Sequence, residues 1–348
     1  MTQIKAKKKS FLHKILVFTS IVFAILLALA FLIPFIEPKV LKSLAAYSLF
    51  TPFIIFINVV FLIYWLVTFK RYFIFPLVLF VLGYPNLVRL YKISGEKILQ
   101  SDDVKIMSYN VRMFNKYEWS DDREIPQKIG QLIKEKAPDI LCFQDYAKSD
   151  ATGLDYPYVF EKFKTEKSQF GHAIYSRFPM IAHGSFDLEK TANNIIWADI
   201  IIDTDTIRVY NVHLQSVKLN PKKEYFGEKD AEQLQIRISS AFQIQQEQVE
   251  KLIQHQSEVT YPIIIAGDFN NTAFSWVYRQ MLKGKKDSFA KAGTGFDRTY
   301  DFEIPMRIDY ILVDKRLKVN YFKTYKEKYS DHFPILTRID KQSFKSSK

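Results

Sequence analysis

The polar residues that follow short apolar strands constrain this chain more than any other feature. In Tyr261–Asn270, YPIIIAGDFN, the β-branched run Ile263–Ile265 predicts a buried strand that Gly267 ends. Asp268 and Asn270 then place a carboxylate and a carboxamide at the carboxyl end of that strand. A D-x-N turn closing a strand explains this stretch alone equally well. Recurrence of the pattern elsewhere therefore decides its meaning.

Five further runs combine a short apolar strand with polar residues near its end. They are KIMSYNVR with Asn110, DILCFQD with Asp145, IRVYNVHL with His213, RIDYILV with Asp309, and SDHFP with Asp331 and His332. Acids, amides and histidines at several strand ends are typical of one convergent site. Carboxylate and carboxamide oxygens suit a hard cation such as Mg²⁺, whereas the sequence has no Cys/His cluster with zinc spacing.

Seven runs, taken in order, resemble the endonuclease/exonuclease/phosphatase superfamily. These metal-dependent phosphodiesterases include pancreatic-type deoxyribonuclease, apurinic endonucleases, neutral sphingomyelinases and inositol polyphosphate 5-phosphatases. The runs are SYNVR, FQD, GHAIYSRFP, VYNVHLQS, GDFN, RIDYIL and SDHFP, within residues 102–340. The resemblance implies an α/β (α+β) four-layer sandwich, in which two mixed, mainly antiparallel sheets lie face to face between helices. The predicted strands and helices agree, because they alternate without a strict βαβ repeat.

The resemblance also implies roles for the polar residues. His332 is the base that activates water, and Asp309 orients its ring, because a carboxylate partner fixes the tautomer and stabilises the imidazolium. Asp268 and Asn270 orient the attacking water and contact the phosphate. His213 matches the second histidine of the deoxyribonuclease and sphingomyelinase branches, which protonates the leaving group or stabilises charge in the transition state.

Three further residues match the family's metal site. They are Asp145, Asn110 and Asp331, and the implied metal is Mg²⁺, with Mn²⁺ as the alternative. The family usually has glutamate in place of Asp145, whereas this chain has the pair Gln144-Asp145. Aspartate is one methylene shorter, and Mg²⁺ at ~2.0–2.1 Å tolerates little misplacement of its ligands. A shifted metal, a bridging water and reduced activity all remain open at this stage.

Three apolar segments precede these motifs. Ile15–Ile36 is long enough to cross a bilayer, which takes ~20 residues. A signal peptide would have a shorter apolar part, so a retained helix is favoured. Leu44–Phe69 is the second segment. The third, Tyr72–Leu90, is interrupted by two prolines and a glycine, so a re-entrant or interfacial segment is the alternative to a third crossing. The chain thus divides into a membrane region 1–93, a linker 94–103, a catalytic domain 104–340 and a disordered tail 341–348.

Basic residues predict the orientation of these segments. Five lysines precede the first segment, and Lys70 and Arg71 lie between the second and third, whereas the first loop has only Lys39 and Lys42. Because the more basic side faces the cytoplasm, three crossings place the N-terminus inside and the catalytic domain outside the cytoplasmic membrane. Two crossings would place that domain in the cytoplasm.

The formal net charge of +12 belongs mainly to the membrane region. Of 49 basic and 37 acidic residues, 12 basic and 2 acidic residues lie in residues 1–101, which leaves 37 basic and 35 acidic residues. The catalytic domain is therefore nearly neutral and lacks the electrostatic footprint of a polyanion-binding protein.

The sequence predicts a multi-pass protein that hydrolyses phosphodiesters with Mg²⁺. A nuclease is the first hypothesis, because the two-histidine pattern resembles the deoxyribonuclease branch. A phospholipid-headgroup hydrolase of sphingomyelinase type is the alternative, which membrane anchoring and the near-neutral domain favour. A membrane-tethered scaffold with an impaired metal site is the third hypothesis, suggested by Asp145. The expected partners are the lipid bilayer and a phosphodiester substrate, nucleic acid or phospholipid headgroup, and no protein partner is predicted.

Overall fold

The computed structural model describes residues 2–95, 97–165, 169–189, 191–217, 228–302 and 305–345. The strands are β1 (Tyr91–Lys92), β2 (Val104–Asn110), β3 (Ile140–Ala147), β4 (Tyr158–Phe163), β5 (Phe170–Ser176), β6 (Met180–Ser185), β7 (Ile195–Ile202), β8 (Asp205–His213), β9 (Ile263–Asp268), β10 (Lys285–Asp287), β11 (Gly295–Phe296), β12 (Asp309–Asp314), β13 (Val319–Thr324) and β14 (Ile335–Ile339). The α-helices are α1 (Thr2–Leu32), α2 (Lys42–Ala46), α3 (Thr51–Val67), α4 (Ile74–Leu82), α5 (Tyr84–Leu90), α6 (Ile125–Lys136), α7 (Glu228–Gln256), α8 (Trp276–Met281), α9 (Ser288–Ala292) and α10 (Gln342–Lys345). Short 3₁₀ helices cover Ile33–Phe35, Tyr47–Phe50, Arg71–Phe73, Arg112–Asn115 and Asp150–Thr152.

Two six-stranded sheets form the centre of the domain. Their strand orders are β13-β14-β2-β3-β5-β4 and β10-β12-β9-β8-β7-β6. Each sheet has one parallel pair, β2 with β3 and β8 with β9, while its other neighbouring strands are antiparallel. Two mixed, mainly antiparallel sheets flanked by helices are the fold class predicted from the sequence, and this prediction is confirmed.

Alternation along the central strands builds three apolar layers. On β9, Ile264 and Ala266 belong to the core between the sheets, whereas Ile263 and Ile265 pack with residues of α7 and α8. In the other sheet, the face opposite the shared core packs against α6. Both faces of β9 are thus covered, which is why its sequence is almost continuously apolar. Helix, sheet, sheet and helix make the four layers.

The N-terminal region is helical and apolar. Within the described residues, Phe11–Phe35 and Lys42–Val67 are each long and apolar enough to cross a membrane. The third segment consists of a helical stretch, Arg71–Leu82, and α5, bent by 77° at Gly83. A side chain at Gly83 would collide with the Phe31 ring, because an added Cβ would lie 2.1 Å from Phe31 Cε2. Close packing against α1 therefore requires the glycine at this break.

Two predicted boundaries need correction. The linker was expected to run to residue 103, but the Asp103 carboxylate is buried and lies 3.2 Å from Arg338 Nε, so this end belongs to the domain. The disordered tail is wrong for residues 341–345, because Gln342–Lys345 forms a helix and Phe344 is buried in the core between the sheets. Residues 346–348 of that prediction lie outside the described residues.

Candidate active site

Strand register brings three of the predicted residues into one row. In the parallel pair β8 and β9, His213 lies opposite Asp268, and in the antiparallel pair β9 and β12, Asp309 lies opposite Asp268. In the facing sheet, the parallel pair β2 and β3 places Asn110 beside Gln144. The carboxyl ends of the four parallel-paired strands therefore meet at one rim of the sandwich.

His332 and Asp309 form a buried histidine–carboxylate pair in the site. His332 Nδ1 lies 3.0 Å from Asp309 Oδ2 and 3.1 Å from Oδ1, and both side chains are buried. The other ring nitrogen, Nε2, lies 3.6 Å from Asp268 Oδ2. Burial opposes the charged ring, but the carboxylates of Asp309 and Asp268 hold the pKa of His332 above its ordinary value. The ring is thus oriented by one carboxylate and directed at another.

Asp268 lies at the centre of the site. Its Oδ2 accepts hydrogen bonds of 3.2 Å from the Nδ2 atoms of both Asn110 and Asn270. Its Oδ1 accepts a 2.7 Å bond from the Asn270 backbone amide. His213 Nε2 lies 3.5 Å from Oδ2. Burial raises the pKa of Asp268, and the nearby Asp309 carboxylate adds to this effect, while His332 opposes it.

Asp145 reaches the site because β3 is irregular. The pairing of β3 with β5 shifts register between Phe143 and Tyr146, and Asp145 has a left-handed backbone with φ of 43°. Aspartate is among the few residues that tolerate this conformation. Its Oδ1 lies 3.6 Å from His213 Nδ1. Desolvation raises the pKa of Asp145 above its ordinary value, while positive charge on His172 opposes this shift.

Two buried amides hold this irregular segment in place. Asn211 Nδ2 crosses from the other sheet and donates to the carbonyl oxygens of Phe143 (2.7 Å) and Ala173 (2.9 Å). Gln144 Nε2 donates to Asn211 Oδ1 at 2.6 Å. Neither amide was predicted as a site residue. Each interrupts an otherwise apolar strand, and this interruption is the sequence signal that could have identified it.

Two further residues that were not predicted from the sequence, His172 and Thr299, lie next to His213 and to the partner of His332. His172 is buried, neither of its ring nitrogens has a hydrogen-bond partner among the described residues, and its ring centroid lies 5.6 Å from that of His213. Thr299 Oγ1 accepts the backbone N–H groups of Ile308 and Asp309, each at 3.0 Å. It thereby fixes the backbone that carries the partner of His332.

The predicted residues meet at a cavity of about 270 Å³. Seven of the eight line it: Asn110, Asp145, His213, Asp268, Asn270, Asp331 and His332. The eighth, Asp309, contacts His332. At one side of the cavity Arg112 Nη1 lies 3.3 Å from Asp331 Oδ2.

The donor set fits a divalent cation. Ligand atoms of Asp268, Asp309 and His332 lie within 4.8 Å of one another, so this group could hold a metal ion. Both oxygens of Asp309 contact His332, however, whereas Asp145, Asp331 and Asn110 line the cavity. Asn110 Oδ1 accepts the Arg112 backbone N–H at 3.2 Å and Asp331 is ion-paired with Arg112, so a bound cation would share or replace these contacts. Burial is the main cause of the raised pKa values of Asp145 and Asp268, and neighbouring carboxylates add to it, so the charged forms of both side chains are disfavoured without more positive charge. A bound dication would supply that charge.

Comparison with protein families agrees with this geometry. The model of the endonuclease/exonuclease/phosphatase family matches residues 107–332, more than half of the chain. The chain belongs to this family. A second family model, described as a domain of unknown function, matches residues 13–90. No curated protein matches the chain significantly.

Several solved structures share the fold. The endonuclease/exonuclease/phosphatase from Bacteroides vulgatus aligns with a TM-score of 0.53 and 18% identity, covering 69% of this chain and 99% of its own. A mannosyl-6-phosphatase from Bacteroides thetaiotaomicron aligns with a TM-score of 0.51 and 20% identity, covering 68% and 99%. D. rerio TDP2, humanized by 14 mutations, aligns with a TM-score of 0.51 and 16% identity, covering 69% and 100%.

Proposed function

We propose that this member of the family is a membrane-anchored, metal-dependent phosphodiester hydrolase. The observation that carries the proposal is the buried His332–Asp309 pair, whose free ring nitrogen is directed at Asp268 inside a cavity lined by acids and amides. A buried, oriented histidine at a cavity of this composition suits activation of water.

Each side chain has a task in the proposed reaction. His332 Nε2 accepts a proton from the attacking water, while Asp309 holds Nδ1–H and stabilises the resulting imidazolium. Asp268 and Asn270 orient that water. His213 donates a hydrogen bond to the phosphoryl group or the leaving oxygen. A divalent ion held by Asp145, Asn110 and Asp331 would neutralise charge on the phosphoryl oxygens when bound.

His332 acts in its neutral form in this scheme. The carboxylates around His332 favour its protonated ring. A cation bound by the acidic residues that line the cavity would disfavour that protonated ring. A cation held by these acidic residues would therefore have two effects. It would neutralise charge on the phosphoryl oxygens of the substrate, and it would keep His332 neutral and able to act as the base.

Hydrolysis of a soluble chromogenic phosphodiester by the full-length protein in detergent tests the proposal. Activity should require Mg²⁺ and disappear with chelator. His332→Gln should lower kcat by about 10²–10⁴-fold, the usual contribution of a general base, and Asp309→Asn should lower it in the same direction. His183→Gln is the matched control, because His183 stacks on Phe160 away from the cavity. Unchanged turnover in His332→Gln would rule out this mechanism.

Metal binding separates the enzyme from a tethered scaffold. Asp145→Asn keeps the shape of the side chain and suits the same backbone, but removes one negative ligand. It should weaken Mg²⁺ binding at least tenfold by calorimetry and raise the Mg²⁺ concentration needed for activity. No saturable binding by the unmodified protein up to millimolar Mg²⁺ would instead support the scaffold hypothesis.

A nuclease remains one form of this hydrolase, supported by the resemblance of His213 and His332 to the deoxyribonuclease pattern. Supercoiled DNA therefore belongs in the same assay, with relaxation of the plasmid as its readout. The near balance of 37 basic and 35 acidic residues beyond residue 101 gives no added support to a polyanionic substrate.

A further inference from the structure

The membrane region packs directly against the catalytic domain. Lys39 Nζ lies 3.0 Å from Glu250 Oε2 of α7, and the Lys39 backbone amide donates to Gln246 Oε1 at 2.9 Å. The Arg279 guanidinium of α8 lies over the Phe35 ring, 4.0 Å from its centroid. These contacts attach the connection between α1 and α3 to two helices of the domain.

Apolar contacts continue this attachment towards the active site. Ala45 and Ala46 of α2 form a buried cluster with Val217 and with Phe242 of α7, and Leu49 packs against that cluster. On the other side of the connection, Phe274 of the domain is buried among Leu27, Ile55 and Phe80 of the membrane helices. The domain therefore packs against the N-terminal helices through apolar surfaces.

One residue of a candidate membrane span lines the catalytic cavity. Leu49 lies within the span Lys42–Val67 and lines the same cavity as Asp268 and His332, together with Val217 and Phe242. The cavity thus has a charged part that suits a phosphate and an apolar part contributed partly by the membrane region.

When α3 spans a bilayer, the apolar part of the cavity is expected at the bilayer surface. Leu49 precedes α3 by two residues, and the 17 residues of α3 extend for about 25 Å at 1.5 Å per residue. Since the hydrocarbon core is ~30 Å thick, Leu49 lies near the boundary between hydrocarbon and headgroups when α3 spans. Exposed Tyr47 and Phe50 flank it, and aromatic side chains are enriched at that boundary.

We infer that the cavity binds a lipid phosphodiester from the bilayer surface, with its phosphate at His332 and Asp268 and the adjoining apolar part against Leu49, Val217 and Phe242. This inference rests on the proposed function and names its substrate class. In the reaction, the oxygen of water bonds to phosphorus as one P–O bond to an alcohol breaks. One proton of that water passes to His332 and the departing alkoxide takes up a proton, so a phosphomonoester and an alcohol are the products.

Matched pairs of substrates test the inference. The full-length protein in dodecyl maltoside micelles is given dioleoyl phosphatidylcholine, phosphatidylethanolamine or phosphatidylglycerol, and separately the corresponding deacylated glycerophosphodiester. We expect at least one acylated lipid to be hydrolysed with a kcat/KM ten or more times that of its deacylated partner. Equal or faster hydrolysis of the deacylated partner, or faster hydrolysis of DNA than of any lipid, would overturn the inference.

Leu49 provides the specific variant. Leu49→Gln should lower the ratio of kcat/KM between acylated and deacylated substrate at least tenfold, and Leu49→Met, which conserves apolar volume, should keep it. Leu41→Gln is the matched control, because Leu41 lies in the same connection but does not line the cavity. An unchanged ratio in Leu49→Gln would contradict the assignment of the apolar wall.

The soluble chromogenic diester separates failure of the inference from failure of the proposed function. Hydrolysis of this probe without preference for acylated lipids leaves the hydrolase intact and removes the lipid substrate. If metal-loaded protein that retains its fold hydrolyses neither the probe nor any lipid, the proposed function fails and the inference falls with it.

Discussion

Burial decides the chemistry of His213. The residue is 4% exposed, and burial, with charge on His332, lowers the pKa of His213 to about 3. The imidazole is therefore largely neutral between pH 5 and 9. From the sequence, two roles remained open for this residue, proton transfer to the leaving group and stabilisation of transition-state charge. A neutral ring favours the second role, because it can donate a hydrogen bond without titrating.

Replacing His213 should therefore lower activity without changing its pH dependence. His213→Gln should reduce kcat by about 10²–10³-fold, the usual cost of losing a donor to a developing oxyanion. The pKa of His213 lies below the assay range, so the shape of the pH profile between pH 5 and 9 should match that of the unmodified protein. Loss of one limb of the profile would show instead that His213 transfers a proton.

The predicted residues could be found because strand ends are visible in sequence. The apolar runs that end in Asp268, His213 or Asn110 predict both a strand and a polar site residue at its end. Polar site residues that lie within strands, not at their ends, are harder to recognise from the sequence. Asn211 and His172 stand among apolar neighbours, and only the facing sheet explains why a buried amide or imidazole belongs there.

The irregular segment of β3 positions Asp145, a ligand of the proposed metal site. At the edge of the register shift between Phe143 and Tyr146, Asn211 Nδ2 donates to the Phe143 carbonyl. The same shift gives Asp145 its left-handed backbone and directs it to the cavity. Sequence could predict the strand but not the shift, because the shift depends on which neighbouring strand and which opposing side chain satisfy the carbonyls.

Replacing Asn211 should destabilise the domain and weaken metal binding together. Asn211→Leu leaves the carbonyls of Phe143 and Ala173 buried without their donor, which costs about 2–4 kcal/mol in the free energy of unfolding. Because these bonds also hold the segment around Asp145, the Kd for Mg²⁺ should rise. Denaturant titration in detergent measures the first effect and calorimetry the second.

Asn320 offers a matched control for this variant. It is also a fully buried amide, and its Nδ2 donates to Asp103 Oδ1 at 2.8 Å, but it does not line the cavity. Asn320→Leu should lower stability and leave the affinity for Mg²⁺ unchanged. Equal weakening of Mg²⁺ binding in both variants would mean that general destabilisation, not the segment of β3, controls the metal site.

At the scale of the whole molecule, the packing of domain on membrane region bears on topology. The connection between α1 and α3 contacts α7 and α8 through residues more than two hundred positions apart, such as Lys39 and Glu250. Such contacts are invisible to local sequence patterns. They favour a domain on the same side of the bilayer as this connection, and therefore opposite the N-terminus if α1 spans.

If α1 and α3 both span the bilayer, the third segment would return the chain to that side. When α3 spans, it leaves the chain at Phe69 on the far side of the bilayer, and the domain is reached only after residue 90. The bent pair formed by Arg71–Leu82 and α5 is the part of the chain available for the return. The basic residues that predict a cytoplasmic N-terminus then imply a domain outside the cytoplasm.

Cysteine labelling of the full-length protein in intact cells tests this topology. Cys142 is the only cysteine and is fully buried, so the background should be low. A membrane-impermeant maleimide should label Ser101→Cys, just before the domain, without permeabilisation. It should label Phe69→Cys, at the end of α3, only after permeabilisation. If Ser101→Cys also required permeabilisation, the third segment would not cross, and the lipid surface facing the catalytic cavity would be the cytoplasmic leaflet.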